Sequence, residues 1–142
     1  MVPEDIDEIY RIYEAPEMTY YMQGLFEDRE EEYVYIQSYY NTIYKFYGYG
    51  TWLITLKNGR IIGRAGIENN PDGEFELGYM LEPEYQHQGY ALEACEGILK
   101  FAEQNLELDR ADIVCYINRK NISSIKLAKK LGITIKFLKS KT

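Results

Sequence analysis

A chain of 142 residues with 46% hydrophobic and 27% charged residues and four prolines has a globular composition, long enough for a single domain around one core and too short for two. Its net charge of −7 would repel phosphate backbones, which disfavours nucleic acid as a partner and mildly favours cationic partners such as amines or basic peptides. No run approaches the roughly 18 to 20 apolar residues of a membrane span, and the acidic opening Met1-Val2-Pro3-Glu4-Asp5 is unlike a secretory leader, so a cytoplasmic chain with no membrane partner is expected. Cys95 and Cys115 stand in no metal-ligand or CxxC spacing; both are expected as reduced packing residues, with no metal site.

Residues 3–14 place Ile6, Ile9, Tyr10 and Tyr13 at helical spacing behind an acidic start, which predicts a first helix. Residues 28–44 again begin acidic and align Tyr33, Ile36, Tyr40 and Ile43, predicting a second. The glycines of Phe46-Tyr47-Gly48-Tyr49-Gly50 argue for a turn there. Residues 51–56 and 60–67, rich in β-branched and aromatic side chains, flank Lys57-Asn58-Gly59 and predict an antiparallel hairpin. Asn69-Asn70-Pro71-Asp72-Gly73 reads as a second turn and residues 74–81 as a third strand. The period then changes: residues 89–105 carry Ala91, Leu92, Cys95, Ile98, Leu99 and Ala102 on a helical stripe, 111–117 read as a strand, 121–131 as a helix stopped by Gly132, and 133–138 as a final strand. This order implies an α/β (α+β) fold, a mixed and largely antiparallel central sheet with helices on both faces. Residues 74–117 form one βαβ crossover, so its two strands should run parallel.

The chemistry is concentrated in Gln86-His87-Gln88-Gly89-Tyr90-Ala91, between a strand end and a helix start. Such a helix terminus offers unpaired amides and the positive dipole end, which suit a diphosphate. Gly89 lets the backbone approach the ligand, and Ala91 keeps the next turn open. A helix start with a turn glycine and no ligand gives the same pattern, and a Gln/Arg-x-x-Gly-x-Gly/Ala match arises by chance about 0.1 times per chain of this length at average composition.

The wider context is more specific. Leu77-Gly78-Tyr79-Met80-Leu81-Glu82-Pro83-Glu84-Tyr85, then Gln86-x-x-Gly89-x-Ala91, Asn121-x-x-Ser124 and Lys130-Leu131-Gly132 strongly resemble the GNAT superfamily of acyl-CoA-dependent N-acetyltransferases. The resemblance spans nearly the whole chain, since the Asn58-Gly59 hairpin and Ile62-Gly63-Arg64-Ala65-Gly66 also fall in the family's order. Gly-Tyr-Ala followed by Glu93-Ala94 looks closest to the ribosomal-protein N-terminal acetyltransferases. The resemblance implies the acyl-CoA N-acyltransferase fold and an enzyme that moves an acetyl group from acetyl-CoA, its cosubstrate, to a protein N-terminus or small amine. It places the pantetheine arm on Tyr79, Met80, Leu81 and Asn121, and the pyrophosphate on the backbone of His87, Gln88, Gly89, Tyr90, Ala91 and Leu92 after Gln86. For Asn121, an N-cap is the plainer role, and the two are compatible.

An amine attacks a thioester only when neutral, so a base is expected. Glu76, on the strand leading into the site, is the first candidate and Glu74 the second; either also reads as an exposed strand carboxylate. The family's geometry implies that the Leu81 amide meets the oxyanion. Many relatives carry a thiolate-protonating tyrosine where this chain has Ala128; Ser124 is the candidate substitute, or else a helix-surface or capping hydroxyl. His87 is expected to be exposed and to act through its backbone alone. The cluster Tyr39, Tyr40, Tyr44, Phe46, Tyr47, Tyr49 and Trp52 reads either as the wall of an acceptor pocket or as ordinary packing.

The missing tyrosine keeps a second reading open, a catalytically silent acyl-CoA-binding regulatory module. A protein binding another phosphate ligand is a third. Relatives usually carry a strand before the first helix and another after the one matching residues 133–138, whereas this chain stops at Ser140-Lys141-Thr142. The expected sheet therefore has bare edges, with either a homodimer that completes it or a shortened chain with an open acceptor site.

Overall fold

The computed structural model describes residues 1–14, 18 and 24–138; the chain end at Ser140-Lys141-Thr142, on which the expected lack of a further strand rests, lies outside them. Pro3–Asp5 makes a 3-10 turn into α1 (Ile6–Ile12). Asp28 caps α2 (Arg29–Tyr39) by accepting the Glu30 amide, which satisfies one of the first-turn donors. The helix does not end at Tyr44. It loosens into a π-helical turn over Tyr40–Tyr44 and closes as α3 (Lys45–Tyr47) at Gly48, where φ is 75°.

The buried face of α2 differs from the predicted one. Glu32, Ile36 and Tyr39 are buried, whereas Tyr33 and Tyr40 are exposed. The stripe thus runs i, i+4, i+7 from a glutamate that hydrophobicity alone would send to the surface. Glu32 tolerates burial because its Oε2 accepts the Phe26 amide at 3.2 Å, and a buried polar group with a partner escapes most of its desolvation penalty.

Five strands, β1 (Thr51–Thr55), β2 (Ile61–Asn69), β3 (Phe75–Leu81), β4 (Ile113–Ile117) and β5 (Thr134–Phe137), form one sheet in chain order. β2 pairs antiparallel with β1 on one side and β3 on the other, and the predicted parallel pairing of β3 with β4 is present. β5 joins β4 in parallel as well, so the antiparallel character stops at β3. Among the described residues, β1 and β5 are the outer strands.

α4 (Tyr90–Asn105) and α5 (Ile122–Leu131) cover one face. There Cys95, Ile98, Leu99 and Ala102, the predicted stripe of α4, pack with Ala65, Ile67 and Leu77 of the sheet, Cys115 and Ile117 of β4, and Ala128 and Leu131 of α5. The opposite face meets α1 and α2, through Arg64 with Tyr13 and Glu68 with Tyr39. Strand alternation therefore divides the site. Tyr79 and Leu81 turn their side chains to the α4 face, and Glu76, Gly78 and Met80 turn theirs to the α1–α2 face.

Candidate functional site

β3 and β4 pair at only two positions, Phe75 with Ile113 and Glu76 with Val114, and then part although β3 runs on to Leu81. The Glu82 amide donates to the Ile62 carbonyl at 2.8 Å. By the alternation of an antiparallel ladder, the amides of Met80 and Gly78 also turn to β2, and those of Tyr79 and Leu81 turn toward the gap. The gap is thus lined by strand-like donors without a strand. Met80, grouped with Tyr79 and Leu81 in the sequence reading, departs from it: its backbone is engaged by β2, and only its side chain faces open space. Gln86 closes the strand end, its Nε2 donating to the Leu81 carbonyl at 3.0 Å.

At the same end lies the N-terminus of α4. His87 and Gly89 both take the left-handed conformation, φ 62° and 89°, an alternation that gathers successive amides into a concavity for anions. The first intrahelical bond runs from the Glu93 amide to the Gly89 carbonyl at 3.0 Å, so Tyr90, Ala91 and Leu92 have amides with no intrahelical acceptor. No atom comes within 4 Å of where a Gly89 Cβ would stand. His87 is exposed as expected, and Gln88 anchors the loop by donating to the Glu84 carbonyl at 2.8 Å.

Across the gap, the Asn121 side chain accepts the Ser124 amide at 3.3 Å, an N-cap of α5. The Tyr79 hydroxyl donates to the Ser124 carbonyl at 3.0 Å and so bridges β3 to the first turn of α5. Burial pushes the Tyr79 phenol up, with Cys115 adding to it. Ala128 is fully buried in the core.

The two candidate bases separate clearly. Glu74 is bonded by Lys136 at 2.5 Å and by Tyr116 at 2.5 Å, and these bonds, Lys136 first, hold its carboxyl down to about 2. A carboxylate held so low is a weak proton acceptor. Glu76 moves the other way: burial raises its pKa, and Glu68 and Glu74 raise it further. Glu68, which the sequence reading missed, is its direct cross-strand partner.

A cleft of about 380 Å³ opens on the α1–α2 face, over Gly78 and between Tyr13, Glu32, Tyr35, Arg64 and Met80. The predicted aromatic cluster does not wall it. Tyr39 and Tyr49 are buried, Trp52 stacks edge-on against Phe101, and Phe46 is 81% exposed. Arg64 was also missed as a site residue, although a lone arginine among the small and apolar residues of Ile62-Gly63-Arg64-Ala65-Gly66 was a usable signal. Among the described residues, no group of three or more His, Cys, Asp or Glu is placed to hold a metal ion, and no helix is long and apolar enough to cross a membrane.

Comparison with known proteins agrees with this geometry. The family described as "Acetyltransferase (GNAT) domain" matches residues 1–134. The chain is 36% identical over 59 residues to the Bacillus subtilis (strain 168) protein named uncharacterized N-acetyltransferase YnaD, covering 42% of this chain and 34% of that protein. It is 29% identical over 91 residues to uncharacterized N-acetyltransferase YjdG of the same organism, covering 62% and 53%. The matches thus span about a third and about half of these relatives. The solved ribosomal-protein-S5-alanine acetyltransferase of Vibrio fischeri superposes with a TM-score of 0.78 at 18% identity, over 93% of this chain and 75% of that one. At that identity the likeness is one of fold.

Proposed function

This chain belongs to the GNAT acetyltransferase family, and from that membership we propose that it binds acetyl-CoA in the gap between β3 and β4 and transfers the acetyl group to a primary amine by direct attack in a ternary complex. The reading is carried by the meeting, at one end of the sheet, of the free edge of β3 with the unpaired amides of α4. Amides of a pantetheine arm can pair with Tyr79 and Leu81 as an added strand would, while the diphosphate caps the helix at Gly89. The open space at Gly89 fits that ligand, because a phosphate must approach the backbone closely there.

In this reading Glu76 takes the proton of the attacking amine through intervening water. The lone pair forms the new C–N bond at the thioester carbonyl, whose oxygen gathers charge against the Leu81 amide. Collapse breaks the C–S bond. The thiolate leaves beside Ser124, and a thiol pKa of about 8.5 makes it a fair leaving group even where Ala128 stands in place of a phenol. Titration calorimetry with acetyl-CoA, together with release of CoA thiol across amines, N-terminal peptides and polyamines, tests the proposal. Binding with turnover supports it. Binding without turnover on any amine supports the silent module, and no binding overturns both.

A further inference from the structure

Arg64 is set apart from the other arginines near it. Arg11 and Arg60 pair with Glu82, and Arg29 pairs with Asp7. Among the described residues Arg64 pairs with no carboxylate. Among the described residues its Nε is buried without a hydrogen-bond partner, and its guanidinium bonds from Nη1 to the Tyr13 hydroxyl at 3.3 Å. A partly desolvated guanidinium without a counter-charge is unfavourable. It is also a planar fork suited to a carboxylate. Glu32, the carboxylate that shares the cleft, is engaged by the Phe26 amide.

Two further observations bear on the cleft. Gly78 lies inside β3, yet among the described residues no atom beyond its chain neighbours comes within 4 Å of where its Cβ would stand; a glycine in a strand interior with open space above it marks a place where a ligand approaches. On the same face, Arg64 pairs across the strands with Met80, and Glu68 pairs with Glu76. The Gly78 floor therefore lies between a cation and a pair of carboxylates, about 7 Å along the strand from each. The Arg64 end suits an anion.

Resting on the acetyltransferase reading, we propose that Arg64 receives a carboxylate of the acceptor, so that the substrate is a primary amine carrying an acidic group, either a free amino acid or the N-terminus of an acidic peptide. A polyamine would set a second cation against Arg64, and such like-charge juxtaposition is how a site rejects the wrong partner.

The test compares kcat/KM, by CoA thiol release, for glycine, β-alanine and γ-aminobutyrate against their amides, for Ala-Glu against Ala-Gln peptides, and for spermidine. A carboxylate preference of about tenfold or more is expected, because a site built to bond a polar group discriminates strongly against its absence. Arg64→Gln should erase that preference chiefly through KM, and Arg64→Lys should keep part of it. Acetyl-CoA affinity and the melting temperature, measured alongside, show that each variant is folded. Preference confined to the amino acids or to the peptides identifies the source. Transfer to amines with equal use of carboxylates and amides, or a preference unchanged in folded Arg64→Gln, overturns the inference and leaves the acetyltransferase reading standing. Failure of every amine despite bound acetyl-CoA overturns both.

Discussion

Glu68 and Glu76 stand directly opposite each other on β2 and β3, on the face toward α1 and α2. Like charges so placed repel. Glu68 Oε1 accepts both the Tyr39 hydroxyl and the Thr51 hydroxyl at 2.5 Å. Glu76 is left with the raised pKa, from burial first and from Glu68 and Glu74 after it. Burial and a facing carboxylate are a recurring way to lift a carboxyl pKa and so make it a better proton acceptor.

A pH profile tests that assignment. The base acts deprotonated, so kcat/KM should rise with pH through the raised Glu76 pKa. Glu68→Gln removes a cause of the rise and should move this acidic limb to lower pH. Glu76→Gln should remove the limb and lower the rate at neutral pH by about 10²-fold, with recovery at high pH where the amine deprotonates unaided. A Glu76→Gln profile of unchanged shape would take Glu76 out of this role.

Gly89 makes a second test, with strain and charge separable. At φ 89° any side chain is strained, so Gly89→Ala should lower stability by about 1 kcal/mol and weaken acetyl-CoA modestly. Gly89→Glu adds a carboxylate to the approach of the diphosphate and should abolish binding in calorimetry. Equal affinities for the folded Ala and Glu variants would move the ligand elsewhere.

Much of this site was legible in the sequence, and the exceptions have physical causes. The Gln86 to Ala91 segment, the βαβ crossover and the α4 stripe all follow from local spacing, which needs no knowledge of partners. Arg64, Glu32 and Glu68 were not legible. Their roles depend on what stands across the sheet or above it, the Phe26 amide for Glu32 and the Tyr39 hydroxyl for Glu68, and these contacts cross 6 and 29 positions of sequence. Met80 differs from Tyr79 and Leu81 for a related reason: the direction of its amide is set by the ladder to β2, not by its neighbours along β3.

At α5, Asn121→Ala removes the cap on the Ser124 amide and should destabilise the fold by about 1 kcal/mol. Acetyl-CoA affinity measured on the same variant separates the two roles. A loss of about tenfold or less, equivalent to one hydrogen bond, is expected if Asn121 also holds the pantetheine arm; unchanged affinity leaves it as a cap alone. Ser124→Ala should lower turnover with little change in affinity.

The two thiols should be inert in the folded protein. Cys95 and Cys115 are both free and buried, and burial first, with further contributions from nearby groups, pushes each up to about 12. Only the thiolate reacts readily, so at pH 8 a thiol reagent should label neither until denaturant is added. Rapid labelling of the native chain would contradict the packing described for both residues.

The last prediction concerns the joint between α1 and the end of β3. Glu82 is 8% exposed; its Oε1 accepts Arg11 Nη1 at 2.5 Å and its Oε2 accepts Arg60 Nη2 at 3.5 Å. Arg11 continues to the Ile61 carbonyl at 2.6 Å, so one guanidinium fastens α1 to the start of β2 and to the residue after Leu81. Removing one partner of a buried pair is costly because the other is left uncompensated, about 3–5 kcal/mol when both are fully buried. The Arg11 side chain is 26% exposed, which lets water compensate part of the loss, so Glu82→Ala should destabilise by about 2 kcal/mol in denaturant unfolding. Its effect on function should be lopsided. α1 leads into Tyr13, which lines the cleft proposed for the acceptor, whereas the α4 terminus is built from the separate segment after Gln86. The acceptor KM should therefore rise more than the acetyl-CoA Kd. The double variant Arg11→Met with Glu82→Leu removes both charges together and should recover part of the lost stability. A Glu82→Ala chain as stable as the parent would mean that this pair contributes nothing net, and that α1 is held by the packing of Ile9 and Ile12 instead.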